Sequence, residues 1–167
     1  VAVIMVSYLP YPQYLGEMKT KPTQYAMRTL NSAGLQADFI VGRGEMEIDD
    51  KRRKTLAYMC NLREGNVISA PDVDSIYKVP LAFHAQGFDS KLLDVLGLKS
   101  DVLDFDSWKR LCSSIQNAEK TVNIGIIGKY FKTGGFTLAD SYISVLEAIK
   151  HAGWAEGYTV KVSWVDP

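Results

Sequence analysis

The chain has 167 residues, enough for one domain or for a domain and part of another. Lys and Arg total 19, as do Asp and Glu, so no long-range field argues for a nucleic-acid or anionic-membrane partner. Cys60 and Cys112 are the two cysteines and make neither a disulfide framework nor a metal-ligand spacing, which suits a reducing cytoplasm. No apolar run approaches the ~20 residues of a membrane span, and no signal peptide is visible.

In chain order, the apolar run Val1-Ala2-Val3-Ile4-Met5-Val6 reads as a buried strand. A loop rich in tyrosine and proline follows, from Tyr8 to Tyr14. Pro22 then opens a helix in which Ala26, Leu30 and Ala33 recur at helical spacing, and Gly34 is its stop. Next come a strand over 38–42, a helix over 49–60 and a short strand, Asn66-Val67-Ile68-Ser69, that reaches Asp72. Helices are expected near 78–86, 88–96 and 105–117. The strand Val122 to Ile127 starts a new unit, whose helix shows Tyr142, Val145, Leu146 and Ile149 at helical spacing and ends at Gly153. A last strand runs from Val160 to Pro167. Strands alternating with helices predict parallel α/β sheets. Both ends fall in mid-sheet, so the chain reads as a piece of a longer protein, with 99–120 as an interdomain connector.

The segment Gly16 to Gln24 sets Lys19 and Lys21 beside the positive end of the Pro22 helix. Cations there are locally unfavourable, by roughly 0.3–1 kcal/mol each. An anion held by free backbone N–H groups and two ammonium groups would offset that cost, and a polyphosphate fits best. Two solvated lysines on a loop are the plainer alternative. Thr20 could cap the helix if it begins a residue early. Downstream, Asp72-Val73 follow a strand's carboxyl end, where open α/β sheets bind ligands, although Asp72, Asp74 or Ser75 could equally cap a helix. Arg43, ending its own strand, is either a nucleotide contact or half of a surface ion pair. Lys51-Arg52-Arg53-Lys54 has no aromatic stacking platform and reads as a solvated helix face.

The run Gly16-Glu17-Met18-Lys19-Thr20-Lys21-Pro22-Thr23-Gln24 resembles the Gly-Glu-hydrophobic-Lys-Thr-Lys-Pro-Thr-Gln signature of the CTP synthases. Asp38 to Arg43, Cys60-Asn61, Asp72 to Pro80, Gly128-Lys129-Tyr130, Asp140 to Val145 and Glu147 to His151 follow in that family's order. Nearly the whole chain is covered. The resemblance implies an ATP-dependent amidoligase that phosphorylates the uracil O4 of UTP and displaces the phosphate with glutamine-derived ammonia. Its fold would be an open, mostly parallel sheet flanked by helices, a P-loop-type amidoligase domain that is truncated here. Residues 1–98 would be the C-terminal part of that domain, and 121–167 the first β-α-β of a glutamine amidotransferase domain.

UTP carries about four negative charges, so its site needs several cations and backbone donors. By resemblance, Lys19, Thr20, Lys21, Pro22, Thr23 and Gln24 bind the triphosphate of UTP and, in feedback inhibition, of CTP. Pro71, Asp72 and Val73 contact the adenine of ATP, and Arg43 is a further nucleotide contact. The family site forms at a homotetramer interface. One family lysine, five residues before the cysteine, is here Thr55, with Lys54 one residue earlier. The sequence favours Lys54 in that role, with a hydroxyl contact from Thr55 as the alternative.

No catalytic residue and no metal ligand is assigned within the chain; the Mg²⁺ ligands that accompany ATP, and the phosphate-binding loop, are expected elsewhere. Gly125 to Tyr130 is too short for a P-loop, with Tyr130 where Ser or Thr must stand. The loop from Phe131 to Leu138 looks longer than the family's. Cys60 follows Tyr58-Met59 and reads as core rather than as a nucleophile. The chain alone is expected to be inactive. A non-catalytic nucleotide-binding or subunit-assembly module is the alternative, and a dethiobiotin- or cobyrinate-type amidoligase a more distant one.

Overall fold

The computed structural model describes residues 1–99, 104–128, 132–133, 136–137 and 139–165. The chain divides into two compact units, Val1–Phe105 and Asp106–Pro167. In the first, strands β1 (Ile4–Tyr8), β2 (Phe39–Gly44) and β3 (Val67–Pro71) alternate with helices α1 (Lys21–Ser32) and α2 (Asp50–Met59), and α3 (Val79–Ala85) and α4 (Phe88–Leu96) follow. The sheet is parallel, in the order β1-β2-β3, with Val6 opposite Val41 and Val41 opposite Ile68.

Two cores cover the two faces of this sheet. Leu9, Met27, Ile40, Leu56, Cys60 and Val67 gather on the α1 and α2 side. Phe39, Val41, Ile68 and Ala70 meet Phe83, Phe88 and Leu92 on the α3 and α4 side. There Phe88 sits edge-on to Phe39 and Phe83, with ring centroids 5.2 and 5.4 Å apart. Strand β2, paired on both sides and covered on both faces, reads as a continuous apolar run for that reason. Strand β1 departs from its expected burial: among the described residues it pairs with β2 alone, and Ile4, Val6 and Tyr8 are exposed on alternate positions.

Helix α1 begins where Pro22 implied, but its core face is Thr23, Met27 and Leu30, while Ala26 and Ala33 are exposed. The bulkier side chains win the burial because they remove more apolar surface from water. Gly34, at φ +78°, ends the helix in the left-handed conformation. Helix α2 is capped by Asp49, whose side chain accepts a hydrogen bond from the Arg52 N–H at 2.8 Å.

In the second unit, β4 (Lys120–Ile127) and β7 (Tyr158–Val165) pair in parallel around α6 (Ile143–Ala155), and α5 (Asp106–Gln116) falls within this unit. A two-residue antiparallel pair, β5 (Lys132–Thr133) with β6 (Phe136–Thr137), lies between them. The rest of the expected long loop over 131–138, and Lys129-Tyr130, lie outside the described residues. Gly153 is not the stop of α6. It is buried inside the helix, where a Cβ would come within 3.0 Å of the Tyr158 carbonyl oxygen, and the left-handed turn falls at Gly157. Val145, expected on the packed face, is exposed, whereas Leu146 is buried.

Gly42 is the tightest point of the central strand: a Cβ there would lie 2.6 Å from Ile48 Cδ1 and 2.7 Å from Leu9 Cδ1, both in the core. Gly42→Ala should cost about 1–3 kcal/mol through overpacking, read as a lower urea midpoint at unchanged slope.

Candidate functional site

Because the strands are parallel, Tyr8, Gly44 and Pro71 end at one edge of the sheet, and the segments that follow carry the candidate residues. After β1, the chain loops through Leu9 and the buried Met18 to Lys19, whose N–H donates to the Pro10 carbonyl at 2.9 Å. Thr20 stands at the N-cap of α1 but its side chain makes no capping bond; its Oγ1 accepts from Gln24 Nε2 at 3.0 Å instead. The first turn therefore holds no acidic residue and no side-chain cap. Thr23 is fully buried, and its hydroxyl is 2.8 Å from that of Ser7 near the end of β1, fastening the helix start to the sheet. Lys21 and Pro22 are exposed, and Lys21 has no hydrogen-bond or ion-pair partner among the described residues.

Lys19 is paired with Glu17, and this ammonium contact, first as a hydrogen bond and then as a charge, holds the Glu17 carboxyl below its ordinary range. The basic run of α2 is less solvated than its composition implies. Arg52 is half-buried: its Nε donates to the Met18 carbonyl at 2.7 Å, its guanidinium pairs with Asp49, and Nη2 lies 3.4 Å from Glu17. Arg53 turns the other way and donates to the Val67 carbonyl. Lys51 and Lys54 are exposed. Thr55 is half-buried and its hydroxyl donates to the Lys51 carbonyl at 2.8 Å. Arg52 is thus a residue that its charge run concealed. The available signal was its place three residues after a capping aspartate, which puts it in the first turn of α2.

After β2 and β3 comes a cavity of about 350 Å³ lined by Arg43, Ala70, Pro71, Asp72, Val73 and, from the following segment, Ile76, Val79, Ala82 and Phe83. Arg43 closes one side: Nη1 donates to the carbonyls of Ala70 and Pro71 at 3.0 and 3.3 Å, and Nη2 pairs with Asp72 at 2.8 Å. The Asp72 N–H donates to the Gly44 carbonyl. Asp72 therefore serves the strand junction rather than a helix cap, while Ser75 caps the next 3-10 turn. The cavity suits a flat heteroaromatic ring, with carbonyl dipoles and a guanidinium at its rim.

The sequence profile described as the CTP synthase N-terminus matches residues 1–98, more than half of the chain. The chain belongs to the CTP synthase family. It is 39% identical over 98% of its length to a CTP synthase of Hydrogenobaculum sp., and 40% over 99% to that of Methanopyrus kandleri. It spans about 30% of the length of each of these relatives. In this CTP synthase segment Cys60 is buried in the core, and burial pushes its thiol above the ordinary range, which is opposite to what a nucleophile needs. Among the described residues no group of three or more His, Cys, Asp or Glu is placed to hold a metal ion. Among the described residues no helix is long and apolar enough to cross a membrane.

Asp49 joins the cap of α2 to the Arg52 contacts. The Arg52 main-chain N–H is the largest influence on its carboxyl and, with the guanidinium, lowers it against the opposing effect of burial. A carboxyl lower in the folded than in the unfolded chain stabilises above the unfolded value and loses that contribution as pH falls through the folded one. Asp49→Asn, which keeps a capping oxygen, should be less stable than the parent at pH 7, and the two urea midpoints should converge below about pH 4. Asp49→Ala should lose about 1 kcal/mol more from the missing cap.

Proposed function

We propose that this chain is the nucleotide-binding part of a glutamine-hydrolysing CTP synthase, a C–N ligase of pyrimidine biosynthesis. ATP phosphorylates the uracil O4, ammonia from glutamine attacks C4, and phosphate leaves. What supports this most is the meeting, at one edge of one parallel sheet, of a cation-bearing helix start and an apolar cavity large enough for a purine. The two suit the two nucleotides of the reaction. Lys19 and Lys21 supply charge to the triphosphate of UTP or the inhibitor CTP. Thr20 and Gln24 supply neutral hydrogen bonds and Pro22 fixes the helix start. Thr23 holds that start against β1 through Ser7. Pro71 to Val73 and Arg43 border the cavity that takes the adenine of ATP.

The segment's own residues bind and orient; the phosphoryl transfer and the release of ammonia use groups beyond them, and Mg²⁺ would accompany ATP on ligands elsewhere. The parallel β4-α6-β7 unit is the start of the glutamine amidotransferase part. The assembled enzyme is a cytoplasmic homotetramer with the UTP site at a subunit interface, of which this chain supplies one side. Purified alone, residues 1–167 bind nucleotide without forming CTP or hydrolysing glutamine.

On α2, Arg52 faces the Glu17–Met18 segment. Thr55, three residues on, shares that face, whereas Lys54 lies about 200° round the helix from Arg52. Arg52 then supplies the charge that α2 brings to the triphosphate, with Thr55 beside it, and Lys54 reaches in only by its flexible stem.

In the complete enzyme, Lys19→Ala or Lys21→Ala should raise the UTP KM and weaken CTP inhibition about tenfold to a hundredfold, with the ATP KM little changed. Normal UTP saturation in both variants would remove the triphosphate site from this helix. Thr55→Ala should weaken UTP binding more than Lys54→Ala; the reverse order would return the family lysine's role to Lys54.

A further inference from the structure

Gln86, the residue that ends α3, spends its whole carboxamide on two pieces of main chain. Its Oε1 accepts from the Ser69 N–H at 2.8 Å; its Nε2 donates to the Ser69 carbonyl at 2.8 Å and to the Ala82 carbonyl at 3.0 Å. One side chain thus serves both main-chain groups of a β3 residue, as the next strand of a sheet would, and ties them to the last turn of α3. The opposite side of Ser69 is fixed too, since its buried hydroxyl accepts from the Ile48 N–H at 3.0 Å. The Gln86 carbonyl is itself held by Lys91 Nζ at 2.8 Å.

The two elements joined by this amide are the two walls of the cavity. Ala70 and Pro71 follow Ser69 directly on the strand wall; Ala82 belongs to the helix wall with Val79 and Phe83. The walls are otherwise joined by apolar contact, which sets no unique spacing along the strand. Hydrogen bonds to fixed main-chain atoms do set one. We propose that Gln86 is a positioning residue for the purine pocket: it touches no nucleotide and instead fixes the width of the slot between β3 and α3. This rests on the purine reading given above.

Two variants separate the bonds from the volume. Gln86→Met keeps the size and loses all three bonds. Gln86→Glu keeps the length and the acceptor for the Ser69 N–H but cannot donate as a carboxylate, and it answers the question should the methionine variant not fold. In the complete enzyme, both should raise the ATP KM by about tenfold while the UTP KM stays within about twofold and kcat at saturating ATP is retained. In the same complete enzyme, hydrogen exchange at the Ser69 amide should be about tenfold faster in Gln86→Met. Unchanged exchange at Ser69 would show that the clamp is not made. Faster exchange with a normal ATP KM, or equal losses towards ATP and UTP, would show that it does not position the pocket. Val73→Trp, which fills the cavity, is the control on the underlying reading. An unchanged ATP KM there removes the purine site and the inference with it. A raised one beside normal Gln86 variants removes the inference alone.

Discussion

The double pairing of β2 is the constraint on which the candidate nucleotide-binding edge depends. Its neighbours run parallel to it, so three chain segments leave the sheet at the same edge within a few ångströms of register. Phe39 and Ile40, fully buried on opposite faces, fasten it to both helical layers at once. Parallel sheets are found almost only where helices cover both faces, as they do for β2, so the helices flanking it are part of the site's foundation. The loops after β1, β2 and β3 can then differ in chemistry while keeping their positions.

Those chemistries are of two kinds. The start of α1 offers charge and uncapped main-chain donors, a chemistry suited to an anion whatever its base. The cavity past β2 and β3 offers apolar contact and shape, a chemistry suited to a ring whatever its charge. Arg43 lies between the two modes. Its ion pair with Asp72 is half-exposed and adds little to stability, but the three bonds hold the guanidinium plane in one orientation over the cavity mouth. The contribution is rigidity rather than energy.

Most of the first unit was legible in the sequence, because its strands are short apolar runs and its helices carry stops and caps that act locally. The failures trace to tertiary effects. Ala26 and Ala33 have the spacing of a core face, but Thr23 and Met27 take it, since a hydroxyl finds Ser7 and a thioether fills more space. Gly153 looks like a helix end and is instead a place of close approach, a distinction made by β7 and not by any neighbour in sequence. At the site, the Gly16–Gln24 segment and the Pro71–Val73 segment were visible as motifs. Arg52 was not, because a run of four cations does not say which one turns inward. Nor was the α3 wall of the cavity, whose residues are ordinary apolar side chains until the chain folds back on itself.

The pairing of Lys19 with Glu17 and of Arg52 with Asp49 has a kinetic consequence. Lys19, Lys21 and Arg52 set against Glu17 and Asp49 leave a single unit of positive charge at the helix start. With a chain that is neutral overall, such a cluster projects almost no field beyond the ~8 Å Debye length of physiological salt. Under the proposed function, a polyphosphate arriving from solution would therefore not be steered towards it, and encounter would proceed at the unassisted rate. Lys19 would become fully available only at contact, when the incoming phosphate competes for it with the Glu17 carboxylate already in place. Discrimination among anions at such a site would be settled by how long they stay, a weakly charged or badly shaped one leaving before Glu17 is displaced.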